Sequence, residues 1–333
     1  MEKITHRFIE TNGIRMHIAE RGEGPLVLLC HGFPELWYSW RYQMVALAGA
    51  GFRAVAPDQR GYGQTDRPAA VEAYDIFQLA GDLVGLVNAL GEDRALIAGH
   101  DWGSVVAYHC ALFRPDLFPA VALLSVPFLP HVGGNLPPTE IMKKIYGRDV
   151  FYQVHFQEPG KAEAEMEADV RRTLLSTFFS LSGSAPPEKR WRFVQRPGER
   201  LMDTYALPER LPPWLAETDL RTFTQEFQRT GFRGGLNWYR NIDRNWASTP
   251  FLAGAKLRQP ALFIAGEADP VLEMYRKPVE SLGRNVPGLK GKHVLPGAGH
   301  WVNQERAEEV NQLLIQFLKS LPLPTPPPAP EVA

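Results

Sequence analysis

Ala95-Leu-Ile-Ala-Gly99-His-Asp101-Trp-Gly103 is the stretch of sequence that decides the fold. Its first four residues form an apolar run, and a turn with glycine on both sides follows at once. A strand that enters such a turn and continues as a helix holds the central side chain of the turn exposed above a sheet, at the start of the helix. That side chain belongs to Asp101. The sequence therefore predicts a carboxylate at the edge of a sheet, where its chemistry is accessible.

Continuous apolar runs recur on both sides of this stretch, and most of them end in a polar or glycine-rich loop. They are Leu26–Cys30, 52–57, 121–125, 261–265 and, more weakly, 293–295. Uninterrupted hydrophobicity is typical of strands that are buried on both faces. Apolar residues spaced by three or four, as in 79–90 and 306–319, predict helices between the strands. The alternation predicts an α/β fold with a doubly wound, mostly parallel sheet, whose functional residues gather at the carboxyl ends of strands.

The alternation stops near Pro127 and resumes near Pro250. The intervening sequence is aromatic and rich in helix-forming residues, and 161–181 in particular is predicted to be helical. We therefore predict a core domain made of 1–128 and 249–320, with a helical cap domain of 129–248 inserted into it. Residues 321–333 are rich in proline and lack apolar periodicity, which predicts a loosely extended tail.

The composition is that of an ordinary globular protein. The chain has 333 residues, of which 44% are hydrophobic and 22% charged, and its net charge is -1. This balance gives no electrostatic reason to expect nucleic acid or an anionic membrane as a partner. We also expect no signal peptide and no membrane span. Cys30 and Cys110 lie in apolar surroundings, which predicts buried free thiols and favours a reducing, cytoplasmic location.

Asp101 is the candidate nucleophile. A carboxylate can attack carbon at neutral pH without a base to activate it, and the attack leaves an ester that a second step must hydrolyse. The alternative is that Asp101 only caps the helix that follows, as aspartate often does. Capping alone would not require glycine on both sides, so the motif favours the catalytic interpretation.

Hydrolysis of an ester needs a group that activates water, and His300 is the candidate. It lies in Gly297-Ala-Gly-His300-Trp, directly after the last apolar run, which is the chain position of the histidine in folds with this turn. Asp269 lies in the loop after 261–265 and is the candidate carboxylate that orients the histidine. Glu267, two residues earlier, is the reserve candidate. Asp269 could also be a turn residue before Pro270.

Negative charge on the carbonyl oxygen of such an ester needs backbone N–H donors. Trp102, the residue after the nucleophile, offers one. The loop His31-Gly-Phe33-Pro34 offers the other, and we assign it to Phe33 because Pro34 has no N–H. The predicted oxyanion hole is therefore formed by Phe33 and Trp102.

Six motifs together give the chain a resemblance to a known family. They are His31-Gly-Phe-Pro-Glu35, Asp58-Gln-Arg-Gly-Tyr-Gly63, Gly99-His-Asp-Trp-Gly103, Phe156-Gln-Glu-Pro-Gly160, Asn237-Trp-Tyr-Arg-Asn241 and Gly299-His-Trp301. The set resembles the soluble epoxide hydrolases of the α/β-hydrolase fold, from about residue 5 to 320. It is similar to the C-terminal hydrolase domain of the mammalian enzyme and to the single-domain plant and bacterial enzymes.

The resemblance implies an activity and two further site residues. Members of this family open epoxides with water to give vicinal diols, through a covalent ester on the aspartate. Two cap tyrosines protonate the epoxide oxygen, and by motif they correspond to Tyr152 and Tyr239. The resemblance implies no metal and no cofactor. The partners expected are a small apolar epoxide and water, and the chain is expected to be a monomer or homodimer.

Other members of the fold are the alternatives. A haloalkane dehalogenase also uses a nucleophilic aspartate, but it typically carries a nitrogen donor where Phe33 stands and lacks the paired cap tyrosines. Fluoroacetate dehalogenases usually carry arginine where Trp102 stands. Esterases and hydroxynitrile lyases would need serine at Asp101. A ligand-binding relative without activity would commonly have lost one of the three candidate catalytic residues, and all three are present.

Overall fold

The predicted sheet is present, and its carboxyl edge carries the motifs quoted above. The computed structural model describes residues 3–322, so the predicted tail lies outside the described residues from 323 onward. Its strands are β1 (Thr5–Thr11), β2 (Ile14–Arg21), β3 (Leu26–Cys30), β4 (Arg53–Pro57), β5 (Leu96–His100), β6 (Val121–Leu124), β7 (Val150–Phe151), β8 (Val194–Gln195), β9 (Ala261–Gly266) and β10 (Leu289–Leu295).

The main sheet has eight strands in the order β1-β2-β4-β3-β5-β6-β9-β10. The strands from β4 to β10 in this order pair in parallel, whereas β1 with β2 and β2 with β4 are antiparallel. The predicted mostly parallel, doubly wound sheet is confirmed. Strands β7 and β8 form a separate antiparallel pair.

The sequence analysis did not predict the N-terminal hairpin β1–β2. Its two-residue turn is Asn12-Gly13, and both residues have positive φ, 44° and 75°. This dipeptide is a strong signal for a tight hairpin turn, because asparagine and glycine tolerate the left-handed region better than other residues. The first four of the seven residues of β1 are exposed, so this strand lacks the continuous apolar run that identified the others.

Helices lie between the strands, as the alternation predicted. They are α1 (Arg41–Gly49), α2 (Ile76–Ala89), α3 (Trp102–Phe113), α4 (Pro138–Tyr146), α5 (Tyr152–His155), α6 (Lys161–Met166), α7 (Val170–Ser180), α8 (Glu217–Thr230), α9 (Arg233–Arg240), α10 (Ile242–Ser248), α11 (Pro270–Met274), α12 (Arg276–Glu280), α13 (Leu282–Asn285), α14 (Val302–Glu305) and α15 (Ala307–Lys319). Short 3-10 helices occur at Trp37–Trp40, Val71–Tyr74, Pro187–Lys189, Leu201–Thr204 and Pro250–Leu252.

Two cores sandwich the sheet. Successive residues of a strand point to opposite faces, so Val27 and Leu29 belong to one core and Leu28 to the other. The core on one face includes side chains of α1 and α15, and the core on the other face includes side chains of α2 and α3. All five residues of β3 are buried, which is why this strand reads as a continuous apolar run.

The chain leaves the sheet after β6 and returns at β9. The intervening residues, here called the inserted segment (125–260), hold helices α4 to α10 and the pair β7–β8. The helix predicted over 161–181 is divided into α6 and α7. Asp169 separates the two, because its side chain accepts a hydrogen bond from the N–H of Arg172 (2.9 Å) and so begins a new helix.

Candidate active site

The turn after β5 holds Asp101 in an unusual backbone conformation. Its φ of 54° and ψ of -122° are strained for a residue with a side chain. The flanking glycines allow the close packing: a Cβ at Gly99 would overlap the backbone of Gly103, and a Cβ at Gly103 would overlap the carbonyl of Cys30. Only glycine fits at these two positions, and the turn consequently presents the Asp101 side chain at the carboxyl edge of the sheet.

The two oxygens of Asp101 have different neighbours. Oδ1 accepts a hydrogen bond from the backbone N–H of Phe33 (2.9 Å), and Oδ2 lies 3.6 Å from Nε2 of His300. Gly32 lets the Phe33 loop approach, because a Cβ there would overlap the Asp101 side chain. The N–H of Trp102 belongs to the first residue of α3 and so has no acceptor within its helix.

The structure brings His300 and Asp269 together. Nδ1 of His300 donates to Oδ2 of Asp269 (3.0 Å), and Oδ1 of Asp269 accepts from the N–H of Val271 (2.8 Å). Both side chains are buried. Glu267 is exposed and lies near the N–H of Gly297 instead (3.4 Å). Of the two candidate carboxylates, Asp269 is the one in contact with the histidine.

The pKa values in this cluster reflect mutual stabilisation of charge. Burial by itself would raise the pKa of Asp101, but the hydrogen bond and charge of His300 outweigh it and leave that pKa below its ordinary value. Burial would likewise lower the pKa of His300, but the carboxylates of Asp269 and Asp101 outweigh it and hold that pKa well above its ordinary value. The free site therefore favours an imidazolium between two carboxylates.

Tyr152 and Tyr239, which come from the inserted segment, are buried close to this cluster. Their ring centroids lie 5.9 Å apart, and the ring of Tyr239 packs edge-on against Trp102 (5.1 Å). The amide of Gln153 donates to the hydroxyl oxygen of Tyr152 (2.9 Å). Burial above all, and then nearby groups that include the charge of Asp101, raises the pKa of both phenols well above 10. Both remain neutral donors at physiological pH.

One cavity of about 330 Å³ joins these groups. Asp101, Trp102, Tyr152 and Tyr239 line it, and most of the remaining wall is apolar. Further lining side chains are Val105, Tyr108, His109, Leu112, Val126, Phe128, Leu129, Met142, Gln153, Leu252, Val271 and Tyr275. The arrangement places one carboxylate and two phenols around a space suited to an apolar molecule.

The chain matches the family model described as alpha/beta hydrolase fold over residues 25–307. It is 46% identical over 321 residues to epoxide hydrolase A of Mycobacterium tuberculosis, covering 96% of this chain and 98% of that protein. The chain belongs to the epoxide hydrolase family. The solved structure of epoxide hydrolase A from Mycobacterium thermoresistibile has a TM-score of 0.91 and 47% identity, covering 97% and 100% of the two chains. An epoxide hydrolase from an endophytic Streptomyces has a TM-score of 0.92 and 46% identity, covering 95% and 96%.

In this epoxide hydrolase family member, a buried pair of side chains that the sequence analysis did not predict, His100 and Glu35, supports the loops of the active site. Nδ1 of His100 lies 2.5 Å from Oε1 of Glu35, which also accepts from the N–H of Gly32 (3.0 Å). Nε2 of His100 donates to the carbonyl of His300 (2.7 Å). The pair thus connects the loops that carry Phe33, Asp101 and His300. Both residues stand inside quoted motifs, but their pairing is a tertiary contact that the sequence does not reveal.

The histidine loop is also tied to the inserted segment. The N–H of His300 donates to the carbonyl of Leu181 (2.7 Å). The carboxylate of Glu305 accepts from the N–H of Gly183 (2.8 Å), the N–H of Gly299 (3.1 Å) and the hydroxyl of Ser182 (3.0 Å). These bonds fix the position of His300 relative to α7.

Two further findings concern other ligands and partners of this family member. No group of three or more His, Cys, Asp or Glu side chains among residues 3–322 is placed to hold a metal ion. Within the same residues, no helix combines the length and the apolar character needed to cross a membrane. Cys30 and Cys110 are both buried and free, as predicted.

Proposed function

We propose that this chain converts epoxides and water to vicinal diols through a covalent ester on Asp101. The observation that carries the proposal is that Asp101 faces two buried phenols, Tyr152 and Tyr239, across one apolar cavity. A carboxylate can attack a ring carbon directly, and a phenol can protonate the oxygen that leaves. The relatives described above are named for this activity.

In the first step, Oδ2 of Asp101 bonds to one ring carbon and the ring C–O bond breaks. The released oxygen takes a proton from Tyr152 or Tyr239. Oδ1 keeps its hydrogen bond from Phe33 and becomes the carbonyl oxygen of the ester. Because both phenols are protonated at neutral pH, each can donate to the oxygen as negative charge develops on it.

Ester formation changes the state of His300. The charge of Asp101 is one of the two that raise the pKa of the histidine, and the ester removes it. The pKa of His300 therefore falls in the intermediate, and the proton that it releases restores the phenol. The imidazole is then neutral and can act as a base, while Asp269 keeps its Nδ1–H oriented.

In the second step, His300 takes a proton from water and the oxygen attacks the ester carbonyl carbon. Negative charge forms on Oδ1, which the N–H groups of Phe33 and Trp102 are proposed to stabilise. The bond between this carbon and Oδ2 breaks, the second proton of the water passes from the newly added hydroxyl to Oδ2, and the diol leaves with Oδ2. Asp101 is restored as a carboxylate with one oxygen from water, and the proton stays on His300.

The inserted segment is proposed to act as a cap domain. We keep the division into a core of 1–128 and 249–320 and a cap of 129–248, because Tyr152 and Tyr239 come from the cap and Asp101, Asp269 and His300 from the core. The proposed partners are a small apolar epoxide and water. A cytoplasmic location and a monomeric or homodimeric state stay predictions.

A single turnover in heavy-oxygen water, with enzyme in excess over an aryl epoxide, tests the proposal. The first diol should take its new oxygen from Asp101 and remain unlabelled, and the heavy oxygen should be found on Asp101 by peptide mass spectrometry. With substrate in excess, later diols should carry the label, which serves as the internal control. Heavy oxygen in the first diol and none on Asp101 would instead show direct attack by water.

Variants separate the two steps. His300→Gln should accumulate an adduct whose intact mass equals enzyme plus epoxide, because the ester forms but is not hydrolysed. Asp101→Asn should form no adduct. A chloroalkane serves as the control for the dehalogenase alternative. Release of chloride at a rate above that of epoxide opening would transfer the assignment to that activity.

A further inference from the structure

The cavity follows one face of helix α3 away from the reacting carboxylate. Asp101 precedes the helix, and Val105, His109 and Leu112 line the cavity after it. Residues four apart lie one above another on a helix, so Asp101, Val105 and His109 form a row. At about 1.5 Å per residue, His109 lies about 12 Å from Asp101 along the helix.

The hydrogen bonding of His109 fixes which of its nitrogens is available to a ligand. Nδ1 lies 2.8 Å from the carbonyl oxygen of Val105, and since a carbonyl can only accept, Nδ1 carries the proton. Burial lowers the pKa of His109 to about 4, so the ring is neutral at physiological pH. Nε2 is then an unprotonated acceptor. The side chain keeps part of its surface accessible, because it faces the cavity.

Most neighbouring polar atoms along this wall are either bonded within the chain or, like Nδ1 of His131, buried out of reach of a ligand. Nε2 of His131 donates to the carbonyl of Trp246 (3.0 Å), and Nε1 of Trp246 donates to the carbonyl of Val132 (2.8 Å). The side-chain oxygen of Asn245 accepts from the N–H of Ile76 (2.8 Å). Within residues 3–322, no group donates a hydrogen bond to Nε2 of His109.

Much of the rest of the cavity wall is apolar. Leu112, Val126, Phe128, Leu129 and Leu252 line the same cavity and are apolar. An acceptor left without a partner in apolar surroundings costs free energy, which a bound donor recovers. Nε2 of His109 is therefore an unpartnered acceptor offered to a molecule that already reaches Asp101.

We propose that His109 is a specificity-determining residue that accepts a hydrogen bond from the far end of an elongated epoxide. The substrate class is an apolar chain with an epoxide at one end and a neutral donor, such as a hydroxyl, about 12 Å away. This inference rests on the proposed epoxide-opening function, and it adds the length and the terminal group of the substrate.

Matched substrates test the inference. Terminal epoxides with chains of about four to about twelve carbons would each be made with a terminal hydroxyl, methoxy or methyl group. The hydroxyl donates, whereas the methoxy group only accepts, and the methyl group does neither. Wild type should favour hydroxyl over methoxy by about threefold to tenfold in kcat/KM, because one neutral hydrogen bond contributes that much. The preference should appear in KM, since the bond is remote from the reacting carbon, and only in chains long enough to reach His109.

Two variants distinguish recognition from packing. His109→Leu keeps an apolar side chain in place and should abolish the preference for hydroxyl over methoxy. His109→Gln places an amide oxygen near the position of Nε2 and should restore a preference. His131→Leu is the comparison variant. It removes a ring whose Nε2 is bonded to Trp246 and whose Nδ1 is buried, so it should keep the wild-type preference for hydroxyl over methoxy.

Each outcome decides the inference. Equal kcat/KM for hydroxyl and methoxy substrates at every length in wild type would overturn it, and so would a preference that survives in His109→Leu. Either result, with methyl-terminated epoxides still turned over, would leave the proposed epoxide-opening function standing. If no epoxide of any length were opened, both the proposed function and this inference would be wrong.

Discussion

Replacing Tyr152 or Tyr239 by phenylalanine should slow ring opening without weakening substrate binding to the same degree. The phenol hydroxyl matters most when charge develops on the epoxide oxygen, so its loss raises the barrier more than it affects the bound ground state. The ring itself should stay in place. Tyr152 packs edge-on against Trp191 (4.8 Å) and Tyr239 against Phe156 (4.9 Å), and phenylalanine keeps both contacts.

The magnitude follows from the two donors. A hydrogen bond to a charged group contributes about 1.5–3 kcal/mol, and each 1.36 kcal/mol of barrier is about tenfold in rate. One Tyr→Phe change should therefore reduce the ring-opening rate by roughly 10-fold to 160-fold. The double variant should lose about 10²-fold to 10⁴-fold, the range of general acid catalysis.

Rapid-mixing experiments that follow the ester by intact-protein mass would measure ring opening directly, and substrate affinity would come from the dependence of that rate on substrate concentration. Tyr205→Phe is the matched control. Tyr205 stacks on Trp191 (5.7 Å) but lies outside the cavity, so this variant should keep the wild-type rate. A double Tyr152/Tyr239 variant with unchanged ring opening would refute the assignment of both phenols.

Two further predictions concern the second step. Asp269→Asn should leave ester formation possible but slow ester hydrolysis strongly, whereas Glu267→Gln should slow it only mildly, because only Asp269 of the two contacts the histidine. Mass spectrometry of the trapped ester would compare the two variants. Slower hydrolysis in Glu267→Gln than in Asp269→Asn would contradict the assignment. Since His300 holds the pKa of Asp101 below its ordinary value, ester formation should persist as pH falls toward about 4. Ester hydrolysis needs neutral His300, so as the pH is lowered it should fail before ester formation does, and the ester should accumulate in acid. Failure of both steps at the same pH in stopped-flow measurements would contradict this.

Much of the fold could be predicted from the sequence because parallel strands are buried on both faces. Leu26–Cys30 coincides with β3, and 261–265 lies within β9. The hairpin β1–β2 was missed because half-exposed strands leave a weaker pattern. The break between α6 and α7 was missed because one capping aspartate, Asp169, outweighed the helix propensity of its neighbours.

The site residues also fall into those that the sequence itself predicted and those that it did not. Asp101, Asp269 and His300 were predicted because each follows a strand, and the carboxyl ends of parallel strands converge. Tyr152 and Tyr239 were named only from the resemblance to a family, since nothing in their local sequence indicates which wall they face. Other lining residues, such as Tyr275 and His109, lie outside the inserted segment but were not predicted, because the sequence does not show which part of the core surface that segment covers.

The bonds around Glu305 have a consequence for how molecules reach the site. Separating the inserted segment from His300 at this point would break the hydrogen bonds from Gly183 and Ser182 to the carboxylate of Glu305, each contributing about 1.5–3 kcal/mol. It would also break the bond from His300 to Leu181. The inserted segment is therefore held in place where it contacts the loop of His300. Val132 and Met142 also line the cavity, and Val132 has 70% of its surface exposed, so this part of the wall, here called the front wall, is thin. Epoxide arrival and diol departure should then be governed by movements of this front wall, and changes there should alter product release while the reacting groups keep their alignment.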